Sequence, residues 1–426
     1  MQLDTHWFGR FEDVFRARDE YGLSETLIQY NVRDKKTFLI DEVENPSFKY
    51  VPKIDVASHT RFFSDLRTEI LSTEKNEVVQ ELYNQKLIQQ IARIRMLIAT
   101  IHRDDAEFYA ASVELYGQPK KKYFTYVAMR VCEHARNTQM SGMRGAAAKR
   151  LLKIFSKIDT KKNTIDVSVL PPVVNGDEKV LTSQQARQIF ESRLKEDGIS
   201  GWRVVVDRTR ARTHFSVSQQ EKTVNVPNST QLRIRKKPFT VIHAKAIAAH
   251  EIGVHVQRAE NGARSPLKLL GVGLDRYMKG EEGLATFMQQ QVEGATEFAG
   301  FEHYLAASLA VGLDGKKRDF RSVYAILMDY FLVVAPEHED ESAISDYAEK
   351  MAWRFCVRIF RGTTGRNTGY IFTKDIVYLE GNVEIWDLMT SAPERFSDFF
   401  VGKYDPLNKQ HLSALQALGI LPQYKN

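Results

Sequence analysis

A five-residue step between two histidines on an alanine-rich stretch most constrains what this chain can fold into. Thr240 to Arg258 reads as one long helix carrying Ala244, Ala246, Ala248 and Ala249, and it contains His250-Glu251-Ile252-Gly253-Val254-His255. A helix that presents two imidazoles to Zn²⁺, with a glutamate beside the metal, usually spaces them at i, i+4, ~40° apart around the axis. At i, i+5 the rings would diverge by ~140° on a regular helix. One extra residue in the turn brings them back together, and such π-type widenings concentrate at functional sites. The spacing therefore predicts a π-type turn across Ile252 to Val254, made cheaper by Gly253. The alternative is a buried helix with two unrelated histidines, one satisfied by backbone.

A zinc site needs a third protein ligand. The candidate is Glu281-Glu282-Gly283-Leu284-Ala285, which opens a second helix with Glu282 27 residues beyond His255. Two neutral imidazoles and one carboxylate leave a bound dication net positive, able to acidify water and polarise a carbonyl. Taken without the histidines, a Glu-Glu pair is simply a favourable helix N-terminus.

The rest of the chain sets the frame. Its 426 residues favour two or three domains. With 43% hydrophobic and 27% charged residues it is neither disordered nor fibrous. The two cysteines, Cys132 and Cys356, can build neither a disulfide framework nor a cysteine-based zinc site, which predicts a cytoplasm-like compartment. The first residues lack a signal pattern, and the apolar run from Val323 to Pro336 is interrupted by Asp329 and too short to span a bilayer. No membrane role is expected. A net charge of +6 points to an acidic partner. The basic runs Lys120-Lys121-Lys122, Arg233 to Lys237 and Lys316-Lys317-Arg318 lack the exposed aromatics of a nucleic-acid module, so nucleic-acid binding is not expected.

Residues 1–59 carry no clean period and are set apart as an N-terminal extension. Thr60 to Tyr116 reads as helix, stopped at Tyr116-Gly117-Gln118-Pro119, and Tyr123 to Ile158 continues helical. These make a helical N-terminal region over 60–170. Asp159 to Lys179, with Pro171-Pro172, is the linker candidate. A catalytic domain over 171–426 follows. It has a helix from Thr182 to Asp197, capped by Thr182 or Ser183 and stopped at Gly198. Strands are expected at 202–206 and 213–218, with an edge strand over Thr223 to Val226 ended by Pro227. The expected fold class is α+β and mainly helical.

Several motifs together bear a resemblance. His250 to Arg258, then Asn261-Gly262-Ala263-Arg264, then Glu281 to Ala285, resembles the microtubule-associated tyrosine carboxypeptidases, whose bacterial relatives carry Gln-Glu-Gly-Leu-Ala. Glu281 stands where that motif has its glutamine, as in the eukaryotic members. Ser112 to Pro119, Arg358 to Gly362 and Phe372 to Gly381 add to the likeness, which runs from about residue 60 to 400. The resemblance implies a zincin-like core with a small sheet, a His-Glu helix and a ligand helix. It implies one Zn²⁺ per chain on His250, His255 and Glu282, with Glu251 as general base, and removal of a C-terminal residue, tyrosine from α-tubulin in the eukaryotic members.

An exopeptidase also needs a cation for the terminal carboxylate. Arg258, one turn beyond His255, is the first candidate, then Arg264 and Lys374; the alternative for Arg258 is a local pair or cap. Tyr378 and His214 are candidates to stabilise an oxyanion, against an alternative of ordinary packing. His243 is expected to be structural, and Thr223 to Val226 could pair with an extended substrate. Endopeptidase or aminopeptidase action, or a silent module that binds peptide tails, are the competing functions. The expected partner is a protein or peptide C-terminal tail, acidic as in tubulin.

Overall fold

The computed structural model describes residues 2–19, 32–39, 43–46, 56–139, 141–174, 179–207, 215–233, 239–336 and 340–423. Helices dominate, with one three-stranded sheet, so the chain is α+β and mainly helical. No described helix is long and apolar enough to cross a membrane. Asp329, inside the continuous helix Phe320–Val333, accepts from Arg150 at 2.5 and 2.9 Å.

The stretch expected to be helical is helical, and its first helix begins at Val56, before the expected boundary at residue 60. Helices run Val56–Thr73, Glu77–His102, Asp105–Tyr116, Lys121–Asn137 and Gly142–Phe155. Asn76 caps the second, accepting from the backbone of Val78 and Val79. The expected stop after Tyr116 is real, since Gly117 takes a φ of 84° that a side chain would resist. The polar stretch expected as a linker is docked rather than free. Ile165 and Leu170 are buried, and its backbone bonds to Glu293 and Ala295 at 2.9 and 3.0 Å. The largest core draws on both sides of it, joining Phe124, Val131 and Leu151 to Leu284, Leu305 and Val383.

The sheet orders its strands β1 (Arg203–Val206), β3 (Thr223–Val226), β2 (Ser216–Ser218), with β1 parallel and β2 antiparallel to β3. This overturns the expected edge strand. Thr223–Val226 is the central strand and buried throughout, so it has no free edge for a substrate. Pro227 lies just past the last paired residue, and its missing N–H removes no ladder bond. Thr182 caps the helix Ser183–Glu196 in a reciprocal box with Gln185. That helix, the sheet and a stack of Phe190, Phe215 and Phe239 close a smaller core.

That smaller core also takes Ala244, Ala248, Ile252 and Val256 from the long helix. Its opposite side, with Val254, belongs to the largest core. The alanines keep this helix slim enough for the helix Met278–Glu293 to lie alongside it. The latter packs in turn on Ile376–Ser391, where Gly283 meets Gly381. A Cβ on Gly283 would sit 2.4 Å from the Gly381 carbonyl, so only glycine permits this approach. Asn382 ties the same pair of helices, donating at 2.9 Å to Thr286 and to Gln290.

Candidate metal centre

The long helix is regular over Val241–His250, opens into a π-helix over Glu251–Val256, and resumes as Gln257–Arg264. The widening brings the two imidazoles to one side, with ring centroids 5.0 Å apart. Gly253 has a further use in this turn, because a Cβ there would lie 2.7 Å from the Arg193 guanidinium, which packs over it.

Glu282 completes the set. Its Oε2 lies 3.9 Å from Nε2 of both His250 and His255, and the three potential ligand atoms fall within 4.8 Å of one another. Tetrahedral ligands at bonds of ~2.0–2.1 Å stand ~3.4 Å apart, so these donors need to close in only slightly around an ion, and two imidazoles with one carboxylate are donors a divalent transition metal accepts. The three residues could hold such an ion.

Both rings are turned for that task. His250 Nδ1 meets Gln289 Oε1 at 3.1 Å, and the Gln289 amide nitrogen donates to Glu293 at 2.7 Å, which fixes the amide with its oxygen toward the ring. His255 Nδ1 meets Glu281 Oε1 at 2.9 Å. Each Nδ1 thus faces an acceptor and carries the proton, leaving Nε2 to bind. Glu293 is held in turn by His243, at 3.6 Å, whose other nitrogen meets Thr240 at 3.0 Å. His243 is structural, as read, at the far end of a chain that steadies His250.

Electrostatics separate the groups. Burial alone would raise Glu281, yet the Arg258 and Lys403 charges and the His255 bond hold its carboxyl down to about 2. Burial works against charging His255, but the Glu281 bond and the nearby carboxylates push it up to about 9. Burial and the His255 charge press His250 down to about 3. The Glu251 carboxylate has no hydrogen-bond partner among the described residues, while its backbone N–H stays in the helix, donating to Ile247 and Ala248. Burial lifts its carboxyl to about 7, with Glu282 adding to the rise and His255 opposing it.

Arg258 sits elsewhere than expected. It is wholly buried, and its guanidinium is spent on Glu281 at 2.6 Å and on the carbonyls of Gly402 and Tyr404 at 2.9 and 2.6 Å. No substrate carboxylate can reach it; it anchors the glutamate that orients His255. Arg264 projects into solvent, its side chain 64% exposed, and pairs loosely with Glu260 at 3.7 Å. His214 lies outside the described residues.

Tyr378 and Lys374 gather on the Glu282 side. The Tyr378 ring stacks on His303 at 6.0 Å, with the Arg358 guanidinium 5.9 Å from its centroid. Burial first, then the Glu282 charge, raises its hydroxyl well above the usual range. Lys374 lies on the 3₁₀ turn Thr373–Asp375, where burial and Arg361 bring its ammonium down to about 8 against the pull of Asp375 and Glu282. The sequence reading missed Gln289 and Lys403, and named Arg358 only within the Arg358 to Gly362 match, without a role. Only Gln289 left a signal, seven residues past Glu282 and so on the same helix face.

Among protein-family models, that described as microtubule-associated tyrosine carboxypeptidase matches residues 36–425, nearly the whole chain. A search of the curated proteins found no match.

Proposed function

Because the chain belongs to the microtubule-associated tyrosine carboxypeptidase family, we propose that it is a zinc-dependent carboxypeptidase that removes a C-terminal residue, tyrosine foremost, from a protein or peptide tail. The observation that carries this reading is the convergence of His250, His255 and Glu282 at one point, with the unbonded Glu251 carboxylate beside them. The small sheet, the His-Glu helix and the Glu282 helix are taken as a zincin-like core.

Zn²⁺ on the three ligands would supply Lewis acidity, polarising the scissile carbonyl and acidifying a nearby water. Glu251 is the residue that moves the proton. Its carboxyl is raised to about 7, which suits a group that must take a proton from water and then return it to the leaving amine. Gln289 and Glu281 keep both imidazoles in the ligating tautomer throughout. Tyr378, whose hydroxyl has no hydrogen-bond partner among the described residues, is the residue taken to donate toward the oxyanion. The family's name points to tubulin as the polymer that carries the substrate tail, and the +6 net charge supports an acidic tail.

The test compares wild type with Glu251→Gln on peptides ending in tyrosine, read by mass spectrometry, with zinc measured per chain. The variant should keep one zinc and lose activity by ~10²–10⁴-fold, the usual worth of a positioned acid–base group. Retained turnover in the variant, or zinc-free wild type that remains active, would sink the reading.

A further inference from the structure

Beside Glu282 lies a group of charges that the chemistry above does not use. Arg358, near the end of the helix Glu341–Phe360, grips Asp375 in a fork, with Nε and Nη2 at 2.8 and 3.2 Å from its two oxygens. Arg361 meets the same carboxylate at 3.4 Å and lies 4.7 Å over the Phe372 ring. Lys374 is the neighbour of Asp375 on the chain and has no hydrogen-bond partner among the described residues. Two guanidiniums therefore share a single buried carboxylate, with Lys374 next to it on the chain. Gly283, the neighbour of Glu282, packs on Gly381, one turn past Tyr378 on the helix Ile376–Ser391, and the Arg358 guanidinium lies 5.9 Å from the Tyr378 ring, so the group stands on the Glu282 side of the metal centre. Like charges crowded this way need counter-anions, and with Glu282 given to a metal ion the Asp375 carboxylate would balance only one of them.

We infer that Arg358 and Lys374 form the site for the free α-carboxylate of the departing residue, with Asp375 as the positioning residue that aims the Arg358 fork. The inference rests on the carboxypeptidase reading. In a C-terminal peptide the α-carboxylate is one residue from the scissile carbonyl, ~3.8 Å from one Cα to the next, so its anion site must adjoin the metal. The side of Glu282 that holds Tyr378, Arg358 and Lys374 meets this requirement, whereas buried Arg258 and solvent-exposed Arg264 do not. With its Nε side held by Asp375, Arg358 keeps the donors of its Nη1 end for a second anion, and Lys374 adds a point charge, a pairing suited to one carboxylate. Such a site makes the enzyme an exopeptidase by charge, because an internal bond offers a neutral amide where the carboxylate should sit.

Binding separates this inference from turnover. The full-length, zinc-loaded Glu251→Gln protein is titrated with two fluorescent acidic peptides of one sequence, ending in tyrosine as the free acid or as the carboxamide. The acid should bind at least tenfold more tightly. Lys374→Met and Arg358→Gln should each abolish most of that difference by weakening the acid alone, with zinc content unchanged. Lys374→Met relieves like-charge crowding and is expected to fold. Asp375→Asn should weaken the acid partway, and Arg358→Lys should recover part of what Arg358→Gln loses. Equal binding of acid and amide, or equal weakening of both by Lys374→Met, would overturn the inference. Acid-selective binding by a wild type that releases no terminal residue would keep the anion site and remove the carboxypeptidase reading.

Discussion

At the level of single residues, the two histidines are made unequal by their partners. His250 rests on a neutral amide and His255 on a carboxylate that is itself clamped by Arg258 and Lys403. His255 consequently keeps a proton up to about pH 9, above the ordinary 6.5, while Glu281 stays ionised down to about 2. The proton that must leave is the one on Nε2, because Nδ1–H faces Glu281. In protein stripped with a chelator, this pair contributes stability that is fully present below pH 6.5 and is lost as pH rises through about 9. Metal affinity runs the other way, since a ligating imidazole must be neutral. Zinc affinity should therefore climb with pH between 6.5 and 9, by up to ~10-fold per unit. Calorimetry at pH 7 in buffers of different ionisation heats should count close to one proton released. An affinity flat across this range would show that Glu281 does not hold His255 charged.

Between elements, the decisive contacts are backbone approaches that only glycine allows. The two glycines nearest the ligands predict different outcomes. A methyl on Gly283 would meet a carbonyl oxygen at 2.4 Å, so the two backbones must part, and Glu282 sits on one of them beside the contact. Gly283→Ala should cost about 1–3 kcal/mol in thermal unfolding, as overpacking does, and weaken zinc at least tenfold. A methyl on Gly253 meets the far end of a flexible arginine, which can swing away while keeping Asp197. Gly253→Ala should leave zinc affinity within a factor of a few; equal loss in both would refute the contrast. The π-turn itself was legible in the sequence because a helix has fixed angular geometry, so a spacing error of one residue demands one remedy. The Thr182 cap and the Gly117 stop were legible for the same local reason. The central strand was not. Thr223 and Asn225 look like surface residues and Pro227 like an edge, while strand order depends on pairings that local sequence does not carry. Arg258 misled similarly, since burial by the distant Gly402 and Tyr404 decided its role.

Across the whole molecule, the net charge of +6 invites the idea of a basic approach for an acidic tail. The basic runs carry it only in part, through the exposed Lys121, Lys122, Lys316 and Lys317. Lys120 is bound to Glu380 at 2.8 Å, and Arg318 is clamped by Asp314 at 2.5 Å and by the carbonyls of Leu309 and Lys316. Arg233 apart, the run to Lys237 lies outside the described residues. What stays available is the summed field and the cluster around Lys374, which act at different ranges. A field over the whole surface is screened within ~8 Å at physiological salt, whereas half-buried cations in a cleft are screened much less. The two contributions should separate on titration with salt. For a peptide with an acidic tail, kcat/KM should fall several-fold between 0.05 and 0.5 M NaCl, as steered association does. A peptide with a neutral tail and the same free C-terminal tyrosine should change far less. The acid-over-amide preference should survive high salt in both, because it arises at the centre rather than on the approach. If turnover of the acidic tail proves indifferent to salt, the net charge is an ordinary soluble surface, and selectivity for the tail rests on Arg358 and Lys374 alone.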